Sequence, residues 1–113
     1  MSHEKYKTCV DACNACAAEC DHCATACLKE DDVKMMEKCI ELDMYCADIC
    51  RLATAFMARA DEYTTQFAIQ LCGVCADICE ACGNECQTHK HEHCQRCAKA
   101  CFTCMEECRK MAA

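Results

Sequence analysis

The sequence predicts an all-α protein: an antiparallel up-down-up-down four-helix bundle with a cysteine-lined core. Three observations carry this reading. All 19 cysteines fall in four segments at steps of 3 and 4, or sums of these, the spacing that keeps side chains on one stripe of a helix. The chain has no Pro and only 2 Gly, so little interrupts long helices, and no segment alternates with the period of a strand. Four segments of similar length joined by short polar links pack as antiparallel neighbours. At 113 residues, the chain is expected to form a single domain over 1–113.

The first helix is expected from about Glu4 to Glu30, carrying Cys9, Cys13, Cys16, Cys20, Cys23 and Cys27. Small or polar residues such as Ala12, Asn14, Ala17, Glu19 and Asp21 flank that stripe. Asp31 or Asp32 is a natural N-cap for the second helix, expected over Val33 to Arg59. It is sparser, with Cys39, Cys46 and Cys50; its remaining stripe positions hold Met36, Asp43, Ala53 and Met57. A turn at Asp61 to Thr64 leads into the third helix, which ends near Gln87. That helix carries Cys72, Cys75, Cys79, Cys82 and Cys86 at steps of 3, 4, 3 and 4. A link from Thr88 to His93 precedes the fourth helix, with Cys94, Cys97, Cys101, Cys104 and Cys108, ending near Met111.

Antiparallel packing sorts the two ends of such a bundle. Tyr6, Cys9, Met57, Thr65, Cys108 and Met111 gather at one, and Cys27, Met36, Cys39, Cys86, Cys94 and the three linker histidines at the other. The second and third helices carry further apolar rows: Leu42, Tyr45, Ile49, Leu52 and Phe56, then Leu71, Val74 and Ile78. These rows complete intramolecular packing or form an interface between copies, and both readings stand.

In an ordinary bundle the seam would be Leu or Ile. Here it is sulfur. A disulfide framework is disfavoured, because the cysteine count is odd and such miniproteins are loop-rich rather than helical. The N-terminus Met-Ser-His-Glu-Lys-Tyr-Lys has no apolar leader, and no apolar run reaches the ~18 residues of a membrane span. The expected location is therefore the reducing cytoplasm, away from membranes. A net charge of −7 with no basic patch removes nucleic acid from the partner list.

Thiolates aligned in a core need cations to neutralise them. Cu(I) is soft and monovalent and accepts two or three sulfurs, so about one ion per thiolate yields a neutral row of multiple Cu(I) ions. Zinc with four thiolates leaves a net charge of about −2 per site. The cysteine run typical of iron–sulfur clusters is missing. A thiol enzyme needs an activated cysteine rather than a row of equivalent ones, so no catalysis is expected. Two rivals remain: a zinc or soft-metal buffer of metallothionein type, and a thiol-based redox protein.

Outside the ladder, His89, His91 and His93 lie beside Met36. They read either as a solvated link or as a port where Cu(I) lands before passing to thiolates. Asp43 is the one charged residue on the stripe. Either its helix rotates to give the carboxylate water or a partner, or it bonds a thiol or an ion inside the row. Met57 and Met111 read as hydrophobic plugs, with a soft-ligand role as the second reading. His22 lies off the seam and reads as a surface residue, and His3 falls in a terminus expected to fray.

Cys-Ala-Asp-Ile-Cys occurs at 46–50 and again at 75–79, with Cys-Glu-Ala-Cys-Gly at 79–83. Together with the His-rich link at 89–93 and Cys-Ala-Lys-Ala-Cys-Phe-Thr-Cys at 97–104, these motifs resemble the bacterial copper storage proteins. The resemblance is to their cytosolic branch and spans essentially the whole chain. It implies a four-helix bundle, a role in Cu(I) storage and detoxification, and assembly as a homo-tetramer. Partners would be copper ions and the molecules that donate or accept them. The sparse second helix implies that the other three hold most of the ions.

Overall fold

A computed structural model describes the backbone from Ser2 to Ala113 and the side chains from Glu4 onward. The expectation for His3 falls outside the described side chains. A single turn, α1 (Ser2–Lys5), is followed by α2 (Lys7–Leu28), α3 (Glu37–Arg59), α4 (Thr65–Gln87) and α5 (Glu92–Ala112). The four long helices are the expected bundle, and no strand occurs among the described residues. Helix α2 packs on α3 and α5, and α4 packs on the same two, so α2 faces α4 diagonally across the core. The result is a narrow rod, 49 × 19 × 18 Å.

The cysteine stripe is what buries itself. All 19 cysteines are free and buried. The stripe positions of α3 that lack cysteine are buried too, with Met36, Asp43, Ala53 and Met57 all at 0% exposure. Residues just past stripe cysteines are kept small: Ala17, Ala47, Ala76 and Ala98 are buried beside Cys16, Cys46, Cys75 and Cys97. That leaves no bulk to hold neighbouring helices apart. At Gly83 the need is steric, since a Cβ there would lie 2.9 Å from the Phe102 ring. Outside, Arg96–Glu19 at 3.1 Å and Arg109–Glu80 at 2.9 Å link neighbouring helices, and such exposed pairs add little stability each.

Four sequence expectations need correction. The first helix breaks at Tyr6, where φ −94° and ψ −3° separate α1 from α2; the bend sinks the Tyr6 ring to 1% exposure. It also ends at Leu28, short of Glu30. The second helix does not begin under an Asp31 or Asp32 cap, because Val33–Met36 is a 3₁₀ turn whose flanking Asp32 makes no capping hydrogen bond. His93 is not in the link but in the first turn of α5. By contrast, the turn at Asp61–Thr64 is where it was expected. Asp61 Oδ1 accepts the backbone N–H groups of Tyr63 (2.9 Å) and Thr64 (3.0 Å), an Asx arrangement that starts α4.

The second apolar rows pack inward in part and stay exposed in part. Leu42, Ile49, Phe56, Leu71 and Ile78 are half-buried and pack on the core. Tyr45 (61%), Leu52 (45%), Phe67 (49%) and Val74 (49%) remain exposed on α3 and α4.

Candidate metal centre

Sulfur runs without a gap from one end of the bundle to the other. Near the histidine end Cys39 and Cys86 are 3.3 Å apart, and further in Cys20 and Cys97 are 3.6 Å apart. Mid-core, Cys46 lies 3.7 Å from Cys16 and 3.6 Å from Cys79. Cys50 follows, 3.7 Å from Cys75 and 3.8 Å from Cys104. Cys104 is 3.6 Å from Cys13, and the row ends with Cys9 3.6 Å from Cys108. Cysteines one turn apart on a single helix also pair, as Cys23–Cys27 at 3.8 Å and Cys82–Cys86 at 3.9 Å.

These spacings suit shared metal ions. A metal–thiolate bond is about 2.3 Å for zinc, so one ion can bond two sulfurs less than about 4.6 Å apart. Every pair above meets that condition. Groups such as Cys13/Cys50/Cys75/Cys104, Cys16/Cys20/Cys46/Cys101 and Cys20/Cys82/Cys97/Cys101 each bring four donors within 4.8 Å of one another. No lysine or arginine is buried among the described residues, so no internal cation is present to neutralise thiolates. Burial pushes the Cys27 thiol up to about 12 and raises Cys94 as well. Without metal, these two thiols hold their protons at neutral pH, and binding a cation displaces them.

Asp43 resolves in favour of its second reading. No rotation carries it to water: it is fully buried and accepts hydrogen bonds from the thiols of Cys82 (3.1 Å), Cys97 (3.2 Å) and Cys86 (3.4 Å) on one oxygen. Cys39 approaches the other oxygen at 3.8 Å. Burial, then the neighbouring Cys97 and Cys39 sulfurs, raise its carboxyl from 3.8 to about 9.

At the histidine end the three imidazoles differ. His93 turns Nδ1 inward, 3.4 Å from Cys23, 3.6 Å from Cys94 and 3.9 Å from Cys27. Its Nε2 meets Glu30 at 2.8 Å, which places the ring proton on Nε2 and leaves the Nδ1 lone pair facing sulfur. Cys23, Cys27, Cys94 and His93 thereby form a mixed donor group. His91 stacks on His93, centroids 5.4 Å apart, and meets Asp32 at 3.3 Å. His89 bonds Glu85 at 2.8 Å. His22 is exposed, as expected. Sequence reasoning missed Glu30 and Glu85 as imidazole partners. The Glu85–His89 pairing had a signal in its four-residue spacing, whereas Glu30–His93 joins distant segments.

The description "Copper storage protein" is that of the family model matching residues 2–113. The chain belongs to that family. Its relatives include an uncharacterized cysteine-rich protein of Bacillus subtilis (strain 168), YhjQ, 51% identical over 111 residues, covering 97% of this chain and 99% of that one. Among solved family members, the Cu(I)-bound copper storage protein BsCsp3 superposes with a TM-score of 0.88 at 51% identity, covering 96% of this chain and 98% of its own. A cytosolic copper storage protein from Streptomyces lividans, carrying five coppers, reaches 0.93 at 39% identity over 98% of this chain and 94% of its own.

Proposed function

We propose that this chain is a cytosolic Cu(I) store and detoxifier that binds multiple ions through its 19 core cysteines, and that it is not an enzyme. The continuous sulfur row carries this reading. A monovalent soft ion is the cargo that fits between such pairs and makes the row electrically neutral. As ions arrive, each thiol gives up its proton to solvent and gains a share of a Cu⁺.

Ions enter at the histidine end. His93, held by Glu30, offers a neutral lone pair beside Cys23, Cys27 and Cys94, and Met36 is buried nearby at the same end of the ladder. His91 and His89 are the outer imidazoles of this end, and Asp43 accepts thiol hydrogen bonds one turn inward. Copper-donating and copper-accepting molecules would dock here. The exposed Tyr45, Leu52, Phe67 and Val74 face supports self-association, with a homo-tetramer as the assembly; light scattering on the purified chain reads that directly.

Elemental analysis of the protein from cells grown with both copper and zinc tests the cargo. Copper in large excess over zinc is expected. Predominant zinc would instead make the chain a buffer of metallothionein type, and a metal-free, disulfide-bonded product would make it a redox protein.

A further inference from the structure

A row of alternating cations and thiolates has a difficulty at its ends. An interior ion is held from both sides, while an end ion has neighbours on one side only. A neutral donor supplies the missing bond without adding charge. His93 is such a donor at the open end. At the opposite end a second neutral donor reaches the row: the Cys72 thiol donates to Met57 Sδ at 3.7 Å. Cys72 interacts in turn with Cys9 and Cys108, which are 3.6 Å apart.

We propose that Met57 is a thioether ligand, closing the row with Cys72, Cys9 and Cys108 in a terminal Cu(I) site. This rests on the storage reading above. Position 57 lies in register with the cysteines of α3, and its side chain is fully buried, so the sulfur needs no rearrangement to face the row. In the metal-free chain the Cys72 proton occupies the space between the two sulfurs. On loading, that proton leaves to solvent and Cu⁺ takes its place between the Cys72 thiolate and the Met57 thioether, a neutral unit, while Cys9 and Cys108 bridge it to the next ion of the row. Tyr6 lies over this end at 1% exposure, its hydroxyl hydrogen-bonded to Thr65 Oγ1, so water does not compete for the ion. Met111 is half-exposed and carries no such contact.

Two measurements on the full chain test the site, with Cu(I) added from a chromophoric chelator. Cu(I) is diamagnetic, so methionine labelled with carbon-13 at its methyl group reports ligation by NMR: the Met57 methyl resonance is expected to move on loading while that of exposed Met44 stays. Met57→Leu keeps the volume and removes the sulfur. It is expected to match the parent in helicity and to lose its most labile ion at about tenfold lower chelator concentration, equivalent to ~1.4 kcal/mol. A Met57 methyl that does not move, or a release curve that superimposes on the parent's, overturns the terminal site. A parent chain that saturates at about one or two ions overturns the storage reading itself, which separates the two failures.

Discussion

The two ends of the sulfur row are finished in opposite ways. At one, imidazoles backed by carboxylates stand partly in water, with the side chains of His93, His89 and His91 exposed by 12%, 14% and 31%. At the other, Tyr6, Met57, Cys9, Cys72 and Cys108 are all within 1% of full burial. A tube of equivalent thiols would otherwise have no direction. On the proposed reading, polar, hydrated donors at one mouth and an aromatic seal at the other make traffic one-sided, with ions arriving and leaving past His93.

Removing the seal should have the largest effect. Tyr6→Ala deletes a buried aromatic ring and is expected to destabilise the metal-free chain by about 3–5 kcal/mol, read from denaturant titration. It should also open a second exit, so that copper passes to a chelator about tenfold faster. Release at the parent rate would show that Tyr6 seals nothing.

Opening in the other direction, His93→Ala is expected to slow loading about 10- to 100-fold while leaving total capacity nearly intact. Stopped-flow mixing with a Cu(I)–chelator complex measures this. An unchanged loading rate would remove the port. Glu30→Gln, which keeps the shape but weakens the hold on Nε2, should fall between His93→Ala and the parent.

Asp43 distinguishes the interior from both ends. Its carboxyl rises from 3.8 in the unfolded chain to about 9 in the fold, so between those values the folded state binds the extra proton. Stability of the metal-free chain is therefore highest below the lower value and falls as pH climbs towards the upper one. Asp43→Asn should remove that part of the slope, gaining about 1–2 kcal/mol relative to the parent near pH 9. Parallel melting curves for the two chains across this range would rule out the effect. The smallest change is Tyr6→Phe, which loses only the hydroxyl contact with Thr65 and should cost about 1 kcal/mol.

Much of this was legible in the sequence because a helix turns 3.6 residues at a time, and every cysteine obeys that count. The fold, the burial of the whole ladder and the sorting of residues to the two ends all follow from it. Periodicity says nothing of where a chain bends to bury a ring, so the break at Tyr6 did not show. Nor does it set the exact turn at which a helix starts, which is why His93 read as linker when one residue of α5 precedes it. Asp43 was legible as an oddity on the stripe, but its fate depended on Cys82, Cys86 and Cys97 from two other helices meeting one oxygen. A single-helix pattern carries no information about such convergence.

The most direct test is the number of Cu(I) ions that one reduced, metal-free chain takes from a chromophoric chelator. More than about ten ions per chain is expected, as bridging thiolates approach one ion per cysteine. Saturation at about one or two ions would contradict it, because a row of nineteen thiols that held so few would not be a store.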